Sequence, residues 1–69
     1  MRCEIYQDRA GGWRWRLRAR NNRIIADGAE AYSERRKAVD AVQRLADVAG
    51  DLSLFEVLQT AVDAARRGR

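Results

Sequence analysis

Residues Trp13-Arg14-Trp15-Arg16-Leu17-Arg18-Ala19-Arg20 alternate apolar and cationic side chains for eight positions without a slip. A strand turns successive side chains to opposite faces, so this period yields one apolar face and one charged face. A helix would scatter the four arginines around its circumference. The segment therefore reads as a strand, and whatever covers Trp13, Trp15, Leu17 and Ala19 is the core. Arg14, Arg16, Arg18 and Arg20 meet solvent, acidic neighbours or an anionic partner.

The flanking segments agree with that strand. Arg2 to Asp8 also alternates, with Cys3 and Ile5 on one side and Arg2, Glu4, Tyr6 and Asp8 on the other. The loop Arg9-Ala10-Gly11-Gly12 holds the glycines a hairpin needs. Pairing Ile5 with Trp15 keeps both apolar faces together and sets Glu4 across from Arg16 and Tyr6 across from Arg14. Asparagine tolerates the left-handed conformation of a tight turn, so Asn21-Asn22 reads as a two-residue turn into a strand from Arg23 to Asp27. That register places Arg20 beside Arg23, Ala19 beside Ile24, Leu17 beside Ala26 and Arg16 beside Asp27. Ile24 and Ala26 then face the core, and Glu4 and Asp27 neutralise Arg16. Three strands that agree on both faces support one another.

Gly28 to Tyr32 is a connection, and Ser33 is a good helix cap with Glu34 at the positive helix end. Ala38, Val39, Val42, Leu45, Ala46 and Ala49 follow on one side at helical spacing, and Gly50 is a stop. The last stretch reads two ways. Ser53-Leu54-Phe55-Glu56 has the form of a capping box, and Leu54, Leu58, Ala61, Val62 and Ala65 continue at helical spacing. Leu52 to Leu58 is also an apolar run of strand length. Periodicity slightly favours the helix.

Sixty-nine residues form one domain that buries little surface and is marginally stable alone. One cysteine excludes an internal disulfide, and the lack of histidine excludes the usual zinc sets. A second copy is the remaining source of stability, so a homodimer is expected. No apolar run reaches membrane-spanning length and no signal-peptide pattern opens the chain, so a cytoplasmic protein is expected, with no membrane partner. The net charge of +4 is segregated. Residues 1–23 carry seven arginines against Glu4 and Asp8, giving +5; residues 24–65 carry four basic and eight acidic groups, giving −4; residues 66–69 add +3. The basic part suits an anionic partner, or it docks on acidic parts of the same chain or of a second copy.

These residues resemble the YegP-like family, small bacterial and archaeal domains of unknown function. The resemblance rests on Glu4-Ile5-Tyr6 with Asp8, a glycine loop, and Trp13-Arg14-Trp15-Arg16-Leu17. It continues through the turn at Asn21-Asn22, Ile24-Ile25-Ala26-Asp27 and the junction Glu30-Ala31-Tyr32-Ser33, and runs from about residue 3 to residue 57. Asn22 stands where the family has a turn glycine, Ala29 and Ala31 stand where glycines are common, and the tail from about Gln59 to Arg69 has no counterpart. The resemblance implies an α+β fold of three strands, a helix and a fourth strand (β-β-β-α-β). One helix covers one face of the antiparallel sheet, and two copies exchange their last strands. It tips Ser53–Leu58 toward strand, making Leu54, Phe55 and Val57 the dimer interface. Residues 1–58 are then the domain and 59–69 a basic tail with a short helix from Thr60.

The arginine face, Arg14, Arg16, Arg18, Arg20 and Arg23, is the one feature that suggests a ligand. As a site it would hold phosphates, which makes a nucleic-acid accessory role the alternative function. Its plainer reading is the solvated side of a half-buried sheet. Both tryptophans point the other way, leaving Tyr6 as the outward aromatic. Cys3 faces inward and has no histidine to activate it, so it reads as a small core residue. Ser33 and Ser53 read as caps. Glu4, Asp8, Asp27 and Glu30 each have arginine close by, which favours the ionised form and opposes a general-acid role. The expectation is a non-catalytic homodimeric interaction or assembly domain without cofactor, metal or small-molecule substrate. The tail Arg66-Arg67-Gly68-Arg69 reads as a frayed, solvated end.

Overall fold

Strands β1 (Arg2–Gln7) and β2 (Trp13–Arg18) form an antiparallel hairpin in the computed structural model, which describes residues 1–68. The register is the one the two alternations require, with Ile5 opposite Trp15, Glu4 opposite Arg16 and Tyr6 opposite Arg14. Gly11 closes the loop in the left-handed region, at φ 92°, where a side chain is rarely tolerated. Its N–H donates to the Asp8 carbonyl at 3.0 Å, and the Asp8 N–H donates to the Gly12 carbonyl at 2.8 Å.

The second turn has three residues, Arg20, Asn21 and Asn22, and not two. The Ala19 N–H donates to the Arg23 carbonyl at 2.8 Å, which pairs those residues, and Asn22 takes the left-handed position at φ 72°. This longer turn places Arg18, not Ala19, opposite Ile24 in β3 (Ile24–Asp27). The sheet recovers the expected pairs, Leu17 with Ala26 and Arg16 with Asp27, by leaving Ile25 without a β2 partner. Ile25 is thus a bulge, which absorbs the extra turn residue. Ile24 consequently stands across from Arg18 on the charged side. The three strands form one sheet in the order β1-β2-β3.

Past β3 the chain stays beside β2. The Gly28 N–H donates to the Trp15 carbonyl at 3.0 Å. A Cβ on Gly28 would collide with the Trp15 indole, so glycine is required there by close approach. After a short excursion, Tyr32 and Trp13 exchange two backbone hydrogen bonds of 2.8 and 2.7 Å. This extended anchor delays the helix beyond the Ser33 cap. Helix α1 runs Arg35–Val48 with Glu34 in the cap position, extended and without a side-chain cap bond.

Residues Leu52–Arg67 form a second helix, α2, which corrects the expectation of a fourth strand over Ser53–Leu58. As a strand, residues 53–58 would set Glu56 on the same face as Leu54 and Leu58. As a helix, Leu54, Leu58, Val62 and Ala65 form one stripe. Asp51, not Ser53, caps the helix, its carboxylate accepting from the Leu54 N–H at 2.9 Å. The tail supplies much of that stripe, and a longer amphipathic stretch gives a cooperative helix its packing face. One helix was expected over the sheet; two cover it, α1 against β1 and β2, and α2 against β1 and α1. Val39, Val42 and Ala46 of α1 meet Leu58, Val62 and Ala65 of α2, with Cys3, Ile5 and Trp15 packed beneath. Leu58, Val42 and Val62 are the largest fully buried side chains. Each contributes about 1.5–3 kcal/mol through burial. Truncating Leu58→Ala is expected to lower unfolding stability by about 2–5 kcal/mol, read by urea denaturation. A change under about 0.5 kcal/mol would show that Leu58 does not sit in this core.

Candidate anion-binding face

Period-two alternation brings Arg14, Arg16 and Arg18 of β2 to one face, beside Arg2, Glu4 and Tyr6 of β1. Glu4 is the hub. Its Oε1 accepts from Arg16 Nε at 2.6 Å and from Arg18 Nε at 2.8 Å, and its Oε2 accepts from Arg2 Nε at 3.3 Å. Asn22 forms a second node, its carbonyl accepting from Arg18 at 2.7 Å and its side-chain oxygen accepting from Arg2 at 2.7 Å. The Arg16 guanidinium lies 4.2 Å above the centre of the Tyr6 ring, an attractive cation–π placement. Arg14 donates to the Gly28 carbonyl at 3.1 Å and lies 3.9 Å from the Asp8 carboxylate. Asp8 itself accepts from the Gly12 N–H at 2.8 Å.

This arrangement sets the protonation states. The hydrogen bonds from Arg16 and then Arg18 hold the Glu4 carboxyl at about 2, well below its ordinary 4.5. The same bond to Glu4 raises the pKa of Arg16. Glu4 is therefore an anion at neutral pH and acts as a structural counter-charge. Burial, aided by the nearby Glu4 charge, pushes the Cys3 thiol up to about 11. It stays protonated at neutral pH, as a small core residue would. Among the described residues no three metal-ligating side chains gather, so no metal centre is assembled from them.

The structure divides the five candidate arginines. Arg14, Arg16 and Arg18 share the face, but all three are engaged by Glu4, Asp8, Gly28 or Asn22. The longer turn removes Arg20 from the ladder; it lines a hollow with Met1, Ala19, Asn21 and Ile25. Arg23 lies exposed at the start of β3. Asp27 stands opposite Arg16 in register but makes no ion pair with it among the described residues, so Glu4 alone neutralises Arg16. Arg2 and Asn22 belong to the cluster and were not among the candidates. Arg2 was legible as sharing the face of Glu4, whereas Asn22 could be placed only once the turn length was known. Of the three expected dimer residues, Leu54 and Phe55 pack on the chain's own core, and Val57 lines a groove between α2 and β1. Arg66 reaches Asp40 at 3.4 Å, so the end of the helix is docked and not frayed; Arg69 lies outside the described residues.

Three short strands, a Trp-Arg ladder and a carboxylate hub define a small α+β domain. A family described as a domain of unknown function, DUF1508, matches residues 8–56. The UPF0339 protein NMB1088 of Neisseria meningitidis serogroup B is 40% identical over 57 residues, which cover 83% of this chain and 100% of that protein. The UPF0339 protein NMA1193/NMA1859 of N. meningitidis serogroup A matches with the same identity and coverage. The chain belongs to the DUF1508 family, the family that the YegP-like resemblance indicated. The match ends at residue 56, so Leu58, Val62 and Ala65 lie beyond it.

The low pKa of Glu4 couples this face to acid stability. Between about 2 and 4.5 the unfolded chain binds the proton that the folded chain refuses, so stability rises with pH across that window. The contribution is fully present above about 4.5 and is lost as pH falls toward 2. The Glu4→Gln variant is expected to show a smaller fall in Tm between pH 5 and pH 3 than the parent, measured by circular dichroism. Parallel acid limbs for the two proteins would show that Glu4 does not carry this linkage.

Proposed function

We propose that this chain is a non-catalytic interaction domain that works as a homodimer. The observation that carries the reading is the uneven cover of the sheet. Helices α1 and α2 lie over β1 and β2, and neither packs on β3. All four residues of β3 are exposed, including Ile24 and Ile25, with Met1 exposed nearby. A sheet edge with uncovered apolar side chains is a natural seat for another chain. The small size of the domain supports the same conclusion, since a second copy adds the burial that one copy lacks. Light scattering after size exclusion is expected to give twice the 7.9 kDa chain mass, with the dimer fraction rising with concentration. A monomer persisting to about 1 mM, where even weak complexes are populated, would refute the homodimer.

A second reading follows from the charge count on the opposite face. Arg2, Arg16 and Arg18 share Glu4, so three cations surround one anion and the cluster keeps an excess of positive charge. That excess supports an anionic partner, single-stranded nucleic acid being the test case. The Arg14→Glu and Arg18→Glu double variant is expected to abolish anisotropy changes of labelled DNA and RNA that the parent shows at low and near-physiological salt. Equal binding by parent and variant, or binding by the parent that vanishes as salt rises, would remove the face from consideration.

A further inference from the structure

Arg16 spends only its Nε on Glu4, and its two terminal nitrogens make no hydrogen bond among the described residues. One side of the guanidinium is backed by the Tyr6 ring at 4.2 Å, and its edge is pinned by the 2.6 Å bond to Glu4. The side chain still keeps 28% of its surface accessible. We propose that this Tyr6–Arg16 stack is a platform for one unstacked base of a single-stranded nucleic acid, with Arg14 and Arg18 on either side holding the flanking phosphates. The proposal rests on the anionic-partner reading and names what the partner presents to each side chain.

Glu4 decides between base and phosphate at the centre. Its oxygens are shared by Arg2, Arg16 and Arg18, so the charge of Arg16 is already matched, and the carboxylate repels a phosphate brought beside it. An uncharged base meets no such repulsion. A guanidinium is weakly hydrated and stacks on flat π systems, and one already held by a ring and a carboxylate loses little freedom in doing so. Strand geometry supplies the spacing. Arg14, Arg16 and Arg18 are successive residues of one face, about 7 Å apart along β2. A stretched single strand advances by a similar step per nucleotide. Arg18 keeps one terminal nitrogen beyond its bonds to Glu4 and Asn22, and Arg14 stands 3.9 Å from Asp8, at the limit of an ion pair. Both flanking cations therefore retain capacity for a phosphate.

The plainer account is that Tyr6 only orders Arg16, as Glu4 does. Faces that bind single strands offer bases an aromatic ring or a guanidinium plane. Both tryptophans belong to the other face, so the Tyr6–Arg16 pair is the stacking surface available here. Ordering alone gives no preference for a strand that carries bases over one that does not, which separates the two accounts.

Fluorescence anisotropy on the full chain at near-physiological salt compares a labelled strand of about eight thymidines with an abasic strand of equal length and charge. The parent is expected to bind the thymidine strand about tenfold tighter. Arg16→Lys, which keeps the charge and loses the plane, is expected to bind both strands alike. Tyr6→Leu, which removes the backing ring, is expected to shrink the preference about threefold, and it carries the test if circular dichroism shows that Arg16→Lys does not fold. Arg14→Gln is expected to weaken both strands by the same factor. A parent that binds neither strand overturns the anionic-partner reading and the platform with it. A parent that binds both strands alike overturns the platform alone and leaves an electrostatic face. A preference that survives both Arg16→Lys and Tyr6→Leu overturns the assignment to this pair. Displacement of the strand by an equal concentration of thymidine monophosphate overturns a polymer as the partner.

Discussion

The apolar face of this sheet must be covered, and the way it is covered fixes most of the structure. β1 and β2 present Cys3, Ile5, Trp15 and Leu17, a surface too broad for a single helix of moderate length. Helix α1 covers part of it. The remainder is met by α2, whose buried stripe also supplies the far wall of α1. Gln43 and Gln59 exchange amide hydrogen bonds of 2.8 and 3.1 Å between the helices, and Arg35 donates to the Ala65 carbonyl at 3.0 Å. The helix pair is therefore held at its polar margins as well as in its core. Where the pair ends, the sheet is bare, and β3 is the strand left outside.

The charged face follows a different logic. Its arginines arise from the same period that builds the core, because every apolar residue of β2 is followed by a cation. Left unpaired, so many guanidinium groups on one small sheet would repel one another. A single carboxylate at Glu4, placed by register and not by sequence proximity, draws three of them together. The pairs are partly exposed, so their Coulomb gain is modest and screened. Their larger effect is to select one arrangement of long side chains among many.

Much of this was legible in the chain. The first hairpin, its register, the two faces, α1 and the pairing of Glu4 with Arg16 followed from alternation and helical spacing. The turn at residues 20–22 did not, because asparagine serves in both two-residue and three-residue turns, and one extra residue moves Ile24 to the other face. The last element is legible in its own spacing but not in the resemblance. Its spacing favoured a helix, but the resemblance favoured a strand, and the family match stops at residue 56. Leu58, Val62 and Ala65, which make the helix worthwhile, lie past that point. Where an extension adds apolar residues in phase with a helix, its own periodicity is a better guide than relatives that lack it.

Asn22 carries one more consequence. Its backbone sits at φ 72°, a conformation in which glycine would be more at ease. Glycine, however, has no side chain to accept from Arg2, and that bond joins the second residue of the chain to a turn twenty positions away. Chain ends are where strands ordinarily begin to fray. Here the outermost rung of the sheet is clasped to the loop beside it, so amide exchange at the start of β1 should be slower than its terminal position suggests. A small local strain in the turn thus becomes a latch on the amino terminus.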